Sequence, residues 1–465
     1  MTRLLNSLAA RDVASHLHPC TNIGVHEENG PLIFERGEGI YLFDDQGRRF
    51  LEGMSGLWCA SLGFSERRLV DAATRQLTKL PYAHTFRGRS HQTAIELAEQ
   101  LIGLAPVPMS KVFFASSGSE ANESAIKIAW HYHHARGQPE RRKIISREKG
   151  YHGTTVATAS LTGIREFHHD FNLPRPWALF VGCPHHWKFA RRGEDEAAFA
   201  ARLADELEEL ILREGPDTIA AFIAEPVMGG SAVLVPPADY FAHMQRVLRK
   251  YGILFIADEI ITGFGRTGNM FGSQTFGLKP DILTCAKALS AAYVPISATM
   301  ITESIYQALV QQSEKHGLFW HGFTYSGHPV ATAVALEALA IYKDRDIVGH
   351  VRRVAPRFQA GLQALAERKF VGEVRGLGLM GAVELVADKA TKTPFSPAMK
   401  AGQRVLREAE DHGLIIRAVG DALVMAPPLI ISESEIDELL ATLTVALDKV
   451  EAELEDELSR GTHQP

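Results

Sequence analysis

Seven short apolar runs alternate with helical stretches along the middle of the chain, and this alternation constrains the fold more than any other feature. The runs are four to six residues long and begin at Val112, Lys143, Trp177, Ile219, Ile253, Ile282 and Ile296. Runs of this length between turn residues are typical of strands that are buried on both faces. Stretches such as 194–213 and 240–250 have helical composition. Strands that alternate with helices indicate an α/β fold with a seven-stranded, mostly parallel sheet sandwiched by helices.

Both ends of the chain depart from this alternation. Residues 1 to about 21 favour a helix-prone arm that packs against another surface, and from about residue 331 helices and short strands no longer alternate regularly. We therefore predict a large domain over residues 61–330. A smaller, discontinuous α+β domain would combine residues 1–60, including the arm, with residues 331–465.

Composition excludes several classes of function. The 465 residues carry a net charge of -6 and no long basic run, which argues against nucleic acid and against an anionic membrane as partners. The four cysteines form no CxxC pair, and the histidines match no common ligand spacing, so neither a disulfide framework nor a metal site is expected. No apolar run is long enough to span a bilayer, and the start is too polar for a secretory signal. A cytoplasmic enzyme is the prediction.

Two of the apolar runs lead directly to charged residues, Asp258 and Lys287. Ligands of open α/β sheets bind outside the carboxyl ends of the strands, so both side chains are expected in one crevice. A carboxylate there can keep a pyridine nitrogen protonated, and a desolvated lysine amine can form a Schiff base. The pair thus predicts a pyridoxal phosphate site. An ordinary ion pair or cap for Asp258, and a solvent-directed Lys287, are the structural alternatives.

Two further segments fit the same ligand. Gly118 and Ser119 belong to a Ser-Ser-Gly-Ser turn before a helical run over residues 123–135, and free N–H groups at a helix start attract phosphate. An ordinary N-cap would have the same sequence. Tyr151 follows a strand between glycines, where an aromatic ring can cover a planar ligand, although simple packing explains a single tyrosine equally well.

A glycine-rich segment between Asp258 and Lys287 imitates a dinucleotide site. Gly263, Gly265 and Gly268 match G-x-G-x-x-G, and Asp281 follows at a suitable distance. However, residues 269–277 have no helical period, so no helix is predicted after the glycines. Asp281 also begins its strand instead of ending it. We therefore interpret the glycines as a connecting loop.

Taken together, the motifs resemble those of the class III aminotransferases, which are pyridoxal phosphate enzymes of fold type I. The segments that carry the resemblance are Ser-Gly-Ser-Glu-Ala-Asn (117–122), Gly-Tyr-His-Gly (150–153), Ala-Glu-Pro-Val (224–227), Asp-Glu-Ile-Ile-Thr-Gly-Phe-Gly-Arg-Thr-Gly (258–268), Ala-Lys-Ala-Leu (286–289) and Phe-Thr-Tyr-Ser-Gly-His-Pro (323–329). The resemblance implies a homodimer, or a tetramer built from such dimers, with shared active sites.

The resemblance also implies roles for individual residues. Lys287 would be the Schiff-base lysine and proton carrier, and Asp258 the partner of the ring nitrogen. The remaining cofactor contacts would be phosphate binding by Gly118 and Ser119, ring packing by Tyr151 and Ile260 on opposite faces, cofactor binding by His152, support from Glu225, and a phosphate contact by Thr324 from the other subunit.

The substrate side resembles the ω-amine:pyruvate transaminases, through Gly56-Leu-Trp58 and Arg417. Arg417 would bind the carboxylate of pyruvate or alanine and swing aside for amines that lack one. The apolar pocket would be formed by Trp58, Phe86 and Tyr151, with Cys20 entering from the arm. Gly230 stands where the ornithine and 4-aminobutyrate branches of the family have a glutamate that neutralises this arginine.

The predicted reaction moves an amino group from an ω-amine to pyruvate by a ping-pong mechanism and yields an aldehyde or ketone and alanine. The donor is a diamine, the distal amine of an amino acid, or an arylalkylamine. Within the same family an aminomutase, decarboxylase or racemase is the alternative, and a non-catalytic regulator that binds the cofactor is a more remote one.

Overall fold

The computed structural model describes residues 7–461, which contain fifteen strands in three sheets. The strands are β1 Phe34–Glu38, β2 Tyr41–Asp44, β3 Arg49–Glu52, β4 Lys111–Ala115, β5 Lys143–Arg147, β6 Ala178–Val181, β7 Ile219–Ala224, β8 Leu254–Asp258, β9 Ile282–Cys285, β10 Ser297–Ile301, β11 Val371–Leu377, β12 Met380–Leu385, β13 Leu414–Ile415, β14 Arg417–Val419 and β15 Ala422–Met425.

Sixteen α-helices occur in the same described part of the chain. They are α1 Leu8–Ser15, α2 Ile23–Asn29, α3 Ser55–Trp58, α4 Arg67–Lys79, α5 Gln92–Leu104, α6 Gly118–Ala135, α7 Val156–Leu161, α8 His186–Phe189, α9 Glu196–Glu214, α10 Tyr240–Lys250, α11 Gly272–Phe276, α12 Glu303–His316, α13 Pro329–Asp344, α14 Ile347–Ala364, α15 Ala401–Asp411 and α16 Glu433–Gly461. None of them is long and apolar enough to cross a membrane.

The central sheet confirms the predicted fold, with seven strands in the order β4-β10-β9-β8-β7-β5-β6. Strands β5 to β9 pair in parallel, and β10 alone runs antiparallel to both of its neighbours, β4 and β9. All seven predicted runs are strands of this sheet. Its parallel strands therefore present their carboxyl ends along one edge, where the candidate residues lie.

Helices cover both faces of this sheet, and the side chains of β7 and β8 alternate between the two layers. Phe222 and Phe255 pack in the cluster that contains α9 and α10, whereas Ile223 and Ile256 pack in the cluster that contains α6 and α12. Successive side chains of a strand point to opposite faces, so a strand covered on both faces has to be apolar throughout. This explains why these strands appear in the sequence as continuous apolar runs.

Two smaller sheets are built from the ends of the chain. One has the order β1-β2-β3-β13, and Leu414 of β13 pairs in parallel with Leu51 of β3, which joins an early segment to a late one. The other is antiparallel, with the order β11-β12-β15-β14. Strands of both sheets lie outside residues 61–330, and we retain those domain limits as a proposal.

The structure corrects two local predictions. The helix predicted over 123–135 begins five residues earlier, at Gly118, because the Ser117 hydroxyl accepts the Glu120 N–H and caps it there. A short helix, α11, also forms after the glycine-rich segment, where none was predicted. Its residues show no apolar period. The helix is stabilised instead by its first N–H groups, those of Gly272 and Ser273, which donate to the buried carboxylate of Glu259.

The predicted N-terminal arm is helical in its described part, as α1 and α2. Residues 1–6 of that prediction lie outside the described residues.

Candidate active site

A cavity of about 380 Å³ opens at the carboxyl edge of the central sheet. Eight of the nine cofactor-binding residues named from the sequence line it, namely Gly118, Ser119, Tyr151, His152, Glu225, Asp258, Ile260 and Lys287. The ninth, Thr324, does not. The topology brings the eight together because they lie at or after the carboxyl ends of β4, β5, β7, β8 and β9; the last four are consecutive in the sheet, and only β10 separates β9 from β4.

Asp258, the last residue of β8, is buried and held by three partners. Its Oδ2 accepts a 2.8 Å hydrogen bond from the Asn122 side-chain amide and lies 2.8 Å from His152 Nδ1. Its Oδ1 accepts the N–H of Ile260 at 3.1 Å. A carboxylate with this many hydrogen-bond partners is fixed in position. It can therefore keep a proton on a basic nitrogen that enters the cavity.

Asn122 completes this arrangement from α6. Its side-chain nitrogen also donates to the carbonyl of His152 at 2.8 Å, and its oxygen accepts the Thr284 hydroxyl at 2.8 Å. One buried amide thus connects the segment after β5 with the ends of β8 and β9. Sequence reasoning did not single out Asn122, although the residue closes the Ser-Gly-Ser-Glu-Ala-Asn motif and is a polar residue inside an otherwise apolar helix face.

Glu225 lines the cavity and contacts a fully buried arginine. The Arg147 side chain donates to Glu225 Oε2 at 2.8 Å and to the Glu225 carbonyl at 2.6 Å. The other carboxylate oxygen accepts the backbone N–H of Tyr151 at 2.9 Å. Burial lowers the pKa of Arg147, but the charge of Glu225 and its hydrogen bond, together with the influence of Tyr240 and Cys183, outweigh burial, so the net shift is upward. Arg147 ends an apolar strand as Asp258 does, and the same signal would have identified it.

Lys287 follows β9 in a 3₁₀ turn with a φ of 48°, and its side chain faces the cavity. Burial lowers the pKa of this amine, and Arg417 lowers it further, while Asp258 and Cys59 oppose the shift. Among the described residues its Nζ has no hydrogen-bond or ion-pair partner. A desolvated, unpartnered amine is more often neutral than an exposed lysine and is a stronger nucleophile.

The start of α6 supplies the anion-binding element. This helix has eighteen residues, and Gly118 and Ser119 are its first two, so their N–H groups have no partner within the helix. Ser119 Oγ is fixed by the Thr154 N–H at 3.1 Å. A side chain at position 118 would place its Cβ only 2.8 Å from Ile260 Cδ1, so glycine is required for this close approach.

Arg417 and Cys20 lie near the same cavity, though neither lines it. Burial raises the pKa of the Tyr151 hydroxyl, Cys20 and Asp258 raise it further, and Arg417 lowers it, which requires both Cys20 and Arg417 to be close to Tyr151. Cys20 is exposed on the segment between α1 and α2. Arg417 is exposed at the start of β14, and no carboxylate among the described residues pairs with its guanidinium.

Trp58 and Gly230 form part of the surroundings of Tyr151. A Cβ at Gly230 would lie 3.0 Å from the Tyr151 Cβ, so the Gly230 backbone packs directly against the Tyr151 side chain. Trp58 is buried in a small apolar cluster with Ile261, and its ring lies 3.6 Å from the position of a Cβ at the adjacent Gly229. Cys59, which sequence reasoning did not identify, lines the cavity directly.

Phe86 and Thr324 occupy a separate, exposed region. The Phe86 ring packs on Gly322, where an added Cβ would lie 2.9 Å from its Cζ, and the Thr324 carbonyl accepts the Tyr82 hydroxyl at 2.9 Å. Phe86, Tyr82 and Tyr325 each expose more than two fifths of their surface there. The structure therefore brings these two predicted site residues together with each other, but not into the cavity of the same chain.

The cavity fits pyridoxal phosphate on three independent observations. It contains an unpartnered buried amine, a carboxylate held by an amide and an imidazole, and a capped helix start with free N–H groups. Amine, carboxylate and helix start suit the aldehyde, the ring nitrogen and the phosphate of that cofactor, respectively. Fold and cavity together define a pyridoxal phosphate enzyme of fold type I.

Comparison with known proteins gives the family. The family model described as Aminotransferase class-III matches residues 23–447. A probable gamma-aminobutyrate transaminase 2, mitochondrial, from Oryza sativa subsp. indica is 50% identical over 422 residues, which are 90% of this chain and 85% of that protein.

Two solved structures of omega transaminases are similar to this chain over nearly its whole length. The omega transaminase from Pseudomonas jessenii in complex with PMP has a TM-score of 0.96 and 51% identity over 97% of this chain and 99% of its own. A thermostable omega transaminase variant, W58M/F86L/R417L, engineered for asymmetric synthesis of enantiopure bulky amines, has a TM-score of 0.95 and 50% identity over 96% of this chain and 100% of its own. The chain belongs to the class III aminotransferases and is a pyridoxal-phosphate-dependent enzyme.

Proposed function

We propose that this aminotransferase transfers an amino group from an ω-amine to pyruvate by a ping-pong mechanism, releasing an aldehyde or ketone in the first half-reaction and alanine in the second. The observation that supports this most strongly is Arg417, whose guanidinium lies near Lys287 and Tyr151 without an acidic partner. A guanidinium whose charge reaches the reactive amine, and which has no acidic partner among the described residues, suits the carboxylate of a small keto acid, which it can bind through two parallel hydrogen bonds.

Gly230 supports the same proposal from the opposite side. No carboxylate at this position competes for Arg417, and a Cβ 3.0 Å from Tyr151 would have to displace that residue. The three substitutions in the variant engineered for bulky amines bear the numbers at which this chain has Trp58, Phe86 and Arg417. We therefore assign the substrate pocket to Trp58, Phe86, Tyr151, Gly230 and Arg417, with Cys20 at its mouth.

The chain's own residues divide the chemical work. Bound pyridoxal phosphate supplies an aldehyde that accepts the amino group and a ring that withdraws electrons from the adjacent carbon. Asp258 holds a proton on the ring nitrogen, the α6 N–H groups of Gly118 and Ser119 hold the phosphate, and Tyr151 and Ile260 enclose the ring. Lys287 Nζ, with its lowered pKa, takes the proton from the substrate carbon and returns it.

We propose a donor whose reactive nitrogen is distant from any carboxylate, because Arg417 can then swing aside while the amine occupies the apolar pocket. Diamines, arylalkylamines and the distal amines of amino acids meet this condition. 4-Aminobutyrate belongs to the last group, and the rice relative is named for it, even though Gly230 argues against that branch. Because that relative is also named mitochondrial, a cytoplasmic location stays a prediction.

We further propose a homodimer in which the region around Phe86 and Thr324 enters the partner's cavity. Exposed aromatic residues surround both side chains, and neither side chain reaches the cavity of its own chain. A patch of this kind is typical of a protein interface. Sedimentation of Phe86→Ala beside the wild-type protein tests the interface and distinguishes a dimer from a tetramer.

Arg417→Ala tests the acceptor assignment. Loss of a hydrogen-bonded charge pair costs about 1.5–3 kcal/mol, so kcat/KM for pyruvate should fall roughly 10- to 150-fold. The first half-reaction with an amine that lacks a carboxylate, followed in a single turnover, should be nearly unchanged. Arg67→Ala is the control, since Arg67 is exposed and pairs only with Asp71 on its own helix.

Two outcomes would contradict the proposal. If Arg417→Ala slows both half-reactions equally, Arg417 acts on folding or cofactor binding and not on the acceptor. If the wild-type enzyme forms product from an amine with no keto acid present, the reaction is that of an aminomutase or decarboxylase. A panel of diamines, 4-aminobutyrate and arylalkylamines with pyruvate identifies the donor.

A further inference from the structure

Three histidines converge on one aspartate in the N-terminal arm, away from the residues of the active site. Asp12 belongs to α1, His16 and His18 follow that helix, and His26 belongs to α2. His16 Nδ1 lies 3.1 Å from Asp12 Oδ1, and the Nε2 atoms of His18 and His26 lie 2.8 Å and 3.1 Å from Asp12 Oδ2. One carboxylate therefore gathers three imidazole nitrogens, His16 at Oδ1 and His18 and His26 at Oδ2.

The spacing of these atoms suits a small divalent metal ion. Ligand atoms of Asp12, His16 and His18 all lie within 4.8 Å of one another. Neighbouring imidazole rings are 4.2 Å and 4.3 Å apart between centroids, His16 with His18 and His18 with His26. In a tetrahedral zinc site with bonds of about 2.0–2.1 Å, ligand atoms are separated by about 3.3 Å. Asp12, His16 and His18 would have to move closer together to reach that separation, and His26, whose Nε2 is already 3.1 Å from Asp12 Oδ2, would complete the set of four.

Helices α1 and α2 bury little of their own surface. Neither α1 nor α2 contains a buried residue, and the helices have only eight and seven residues. Helices this short are marginal without packing or a cross-link. The Asp12 cluster joins the two helices across fourteen residues of sequence. Hydrogen bonds to the Asp12 carboxylate connect the two helices, and coordination of a metal ion by the same residues would connect them more strongly.

We propose that Asp12, His16, His18 and His26 form a binding site for a divalent transition metal of the zinc class. Three imidazole nitrogens and one carboxylate oxygen are a donor set that suits Zn²⁺ and is poor for Mg²⁺ or Ca²⁺. Binding requires neutral imidazoles and an ionised Asp12, so it releases any proton that the histidines carry. The sequence did not reveal the site because the D-x₃-H-x-H-x₇-H spacing matches none of the common ligand motifs.

The exposure of the four side chains indicates how a metal ion would enter the cluster. His16 is 61% exposed, whereas Asp12, His18 and His26 are 21%, 26% and 12% exposed, so an ion reaches the cluster from the His16 side. The segment between His18 and His26 carries Cys20, which lies close to Tyr151. A bound metal would therefore fix the part of the arm that borders the active-site mouth.

The test uses the full-length holoenzyme without a histidine tag, stripped of metal and titrated with Zn²⁺ alone. We expect one Zn²⁺ per chain by calorimetry and mass spectrometry, and an intense visible band with Co²⁺, as four-coordinate sites with nitrogen ligands show. His18→Ala and His26→Ala should each weaken Zn²⁺ binding at least about tenfold, because even changes behind the ligands cost that much. Hydrogen exchange of residues 8–29 should slow on adding Zn²⁺.

His134→Ala is the matched control, since it removes an exposed imidazole from the unrelated helix α6. It should bind Zn²⁺ as the wild type does. His16→Ala, the most exposed and least disruptive change, covers the case in which the other variants fold poorly. Stoichiometric binding that all arm variants retain, or no binding by the wild type, would overturn the proposal.

Discussion

Asn122→Ala should damage both the stability of the protein and its hold on the cofactor, because one buried side chain makes three hydrogen bonds of 2.8 Å. The bond to the Asp258 carboxylate involves a charge and is worth about 1.5–3 kcal/mol, and each of the two neutral bonds about 1 kcal/mol. The substitution should therefore lower the free energy of unfolding by about 3 to 5 kcal/mol. No nearby group among the described residues is placed to replace the amide.

The part of this loss that concerns Asp258 should appear in cofactor binding. If the loss of this bond costs 1.5–3 kcal/mol of binding free energy, the dissociation constant for pyridoxal phosphate should rise roughly 10- to 150-fold. Titration of the apoenzyme with pyridoxal phosphate, followed by absorbance, measures this change, and urea unfolding measures the stability.

Thr284→Val provides the matched control for Asn122→Ala. It keeps the shape of the side chain and removes only the bond from the Thr284 hydroxyl to Asn122 Oδ1, at a cost of about 1–2 kcal/mol. Cofactor affinity should change little, since Asp258 keeps its donor. If Thr284→Val weakens pyridoxal phosphate as much as Asn122→Ala does, or if Asn122→Ala behaves as the wild type in both assays, the assigned role of the amide is refuted.

Two further predictions follow from single contacts. Gly118→Ala would place a Cβ 2.8 Å from Ile260 Cδ1 and should weaken pyridoxal phosphate binding in the same titration. Gly103→Ala on α5, where an added Cβ has nothing within 4 Å, should leave the affinity unchanged. Equal affinity of the wild type and both variants would refute the crowding argument. Burial raises the pKa of Glu52 to about 7, so its folded form binds a proton more tightly than the unfolded chain, and stability is lost as pH rises from about 4.5 to 7. Glu52→Gln keeps the acceptor for the Met54 N–H and should stabilise the protein at pH 8 by up to about 3 kcal/mol but not at pH 4.5; unfolding curves that shift equally at both pH values would contradict this.

The sequence was most informative where a strand ends on a charged residue. Asp258 and Lys287 could be assigned because a charge after a continuous apolar run is costly to bury and therefore needs a partner or a function. Arg147 gives the same signal at the end of β5. The sequence does not show its partner, and only the structure reveals that Arg147 pairs with Glu225. The sequence pattern identifies charged residues at strand ends, and the folded structure shows which of them pair.

The rest of the site depends on contacts between distant segments, which local patterns do not encode. Helix α6 begins at Gly118, earlier than predicted. The Ser117 side chain caps the helix there, and this outweighs the low helix propensity of Ser117 and Gly118. Helix α11 exists because Glu259 accepts its first N–H groups, although its residues show no apolar period. Phe86 and Thr324 lie outside the cavity of their own chain, so their predicted roles require a second subunit that no single-chain pattern can position.

A chain of buried polar groups connects the cofactor site to the interior of the large sheet. Asp258 pairs with His152, whose Nε2 lies 3.8 Å from Glu225, and Glu225 in turn pairs with Arg147, which is fully buried. Such a network adds little net stability, because each charge loses its hydration, but it tolerates only one geometry. The Glu225 carboxylate that Arg147 contacts also accepts the Tyr151 N–H, so an arginine on the other side of the acid helps to position Tyr151. The precision of this active site therefore depends on residues that never contact the substrate.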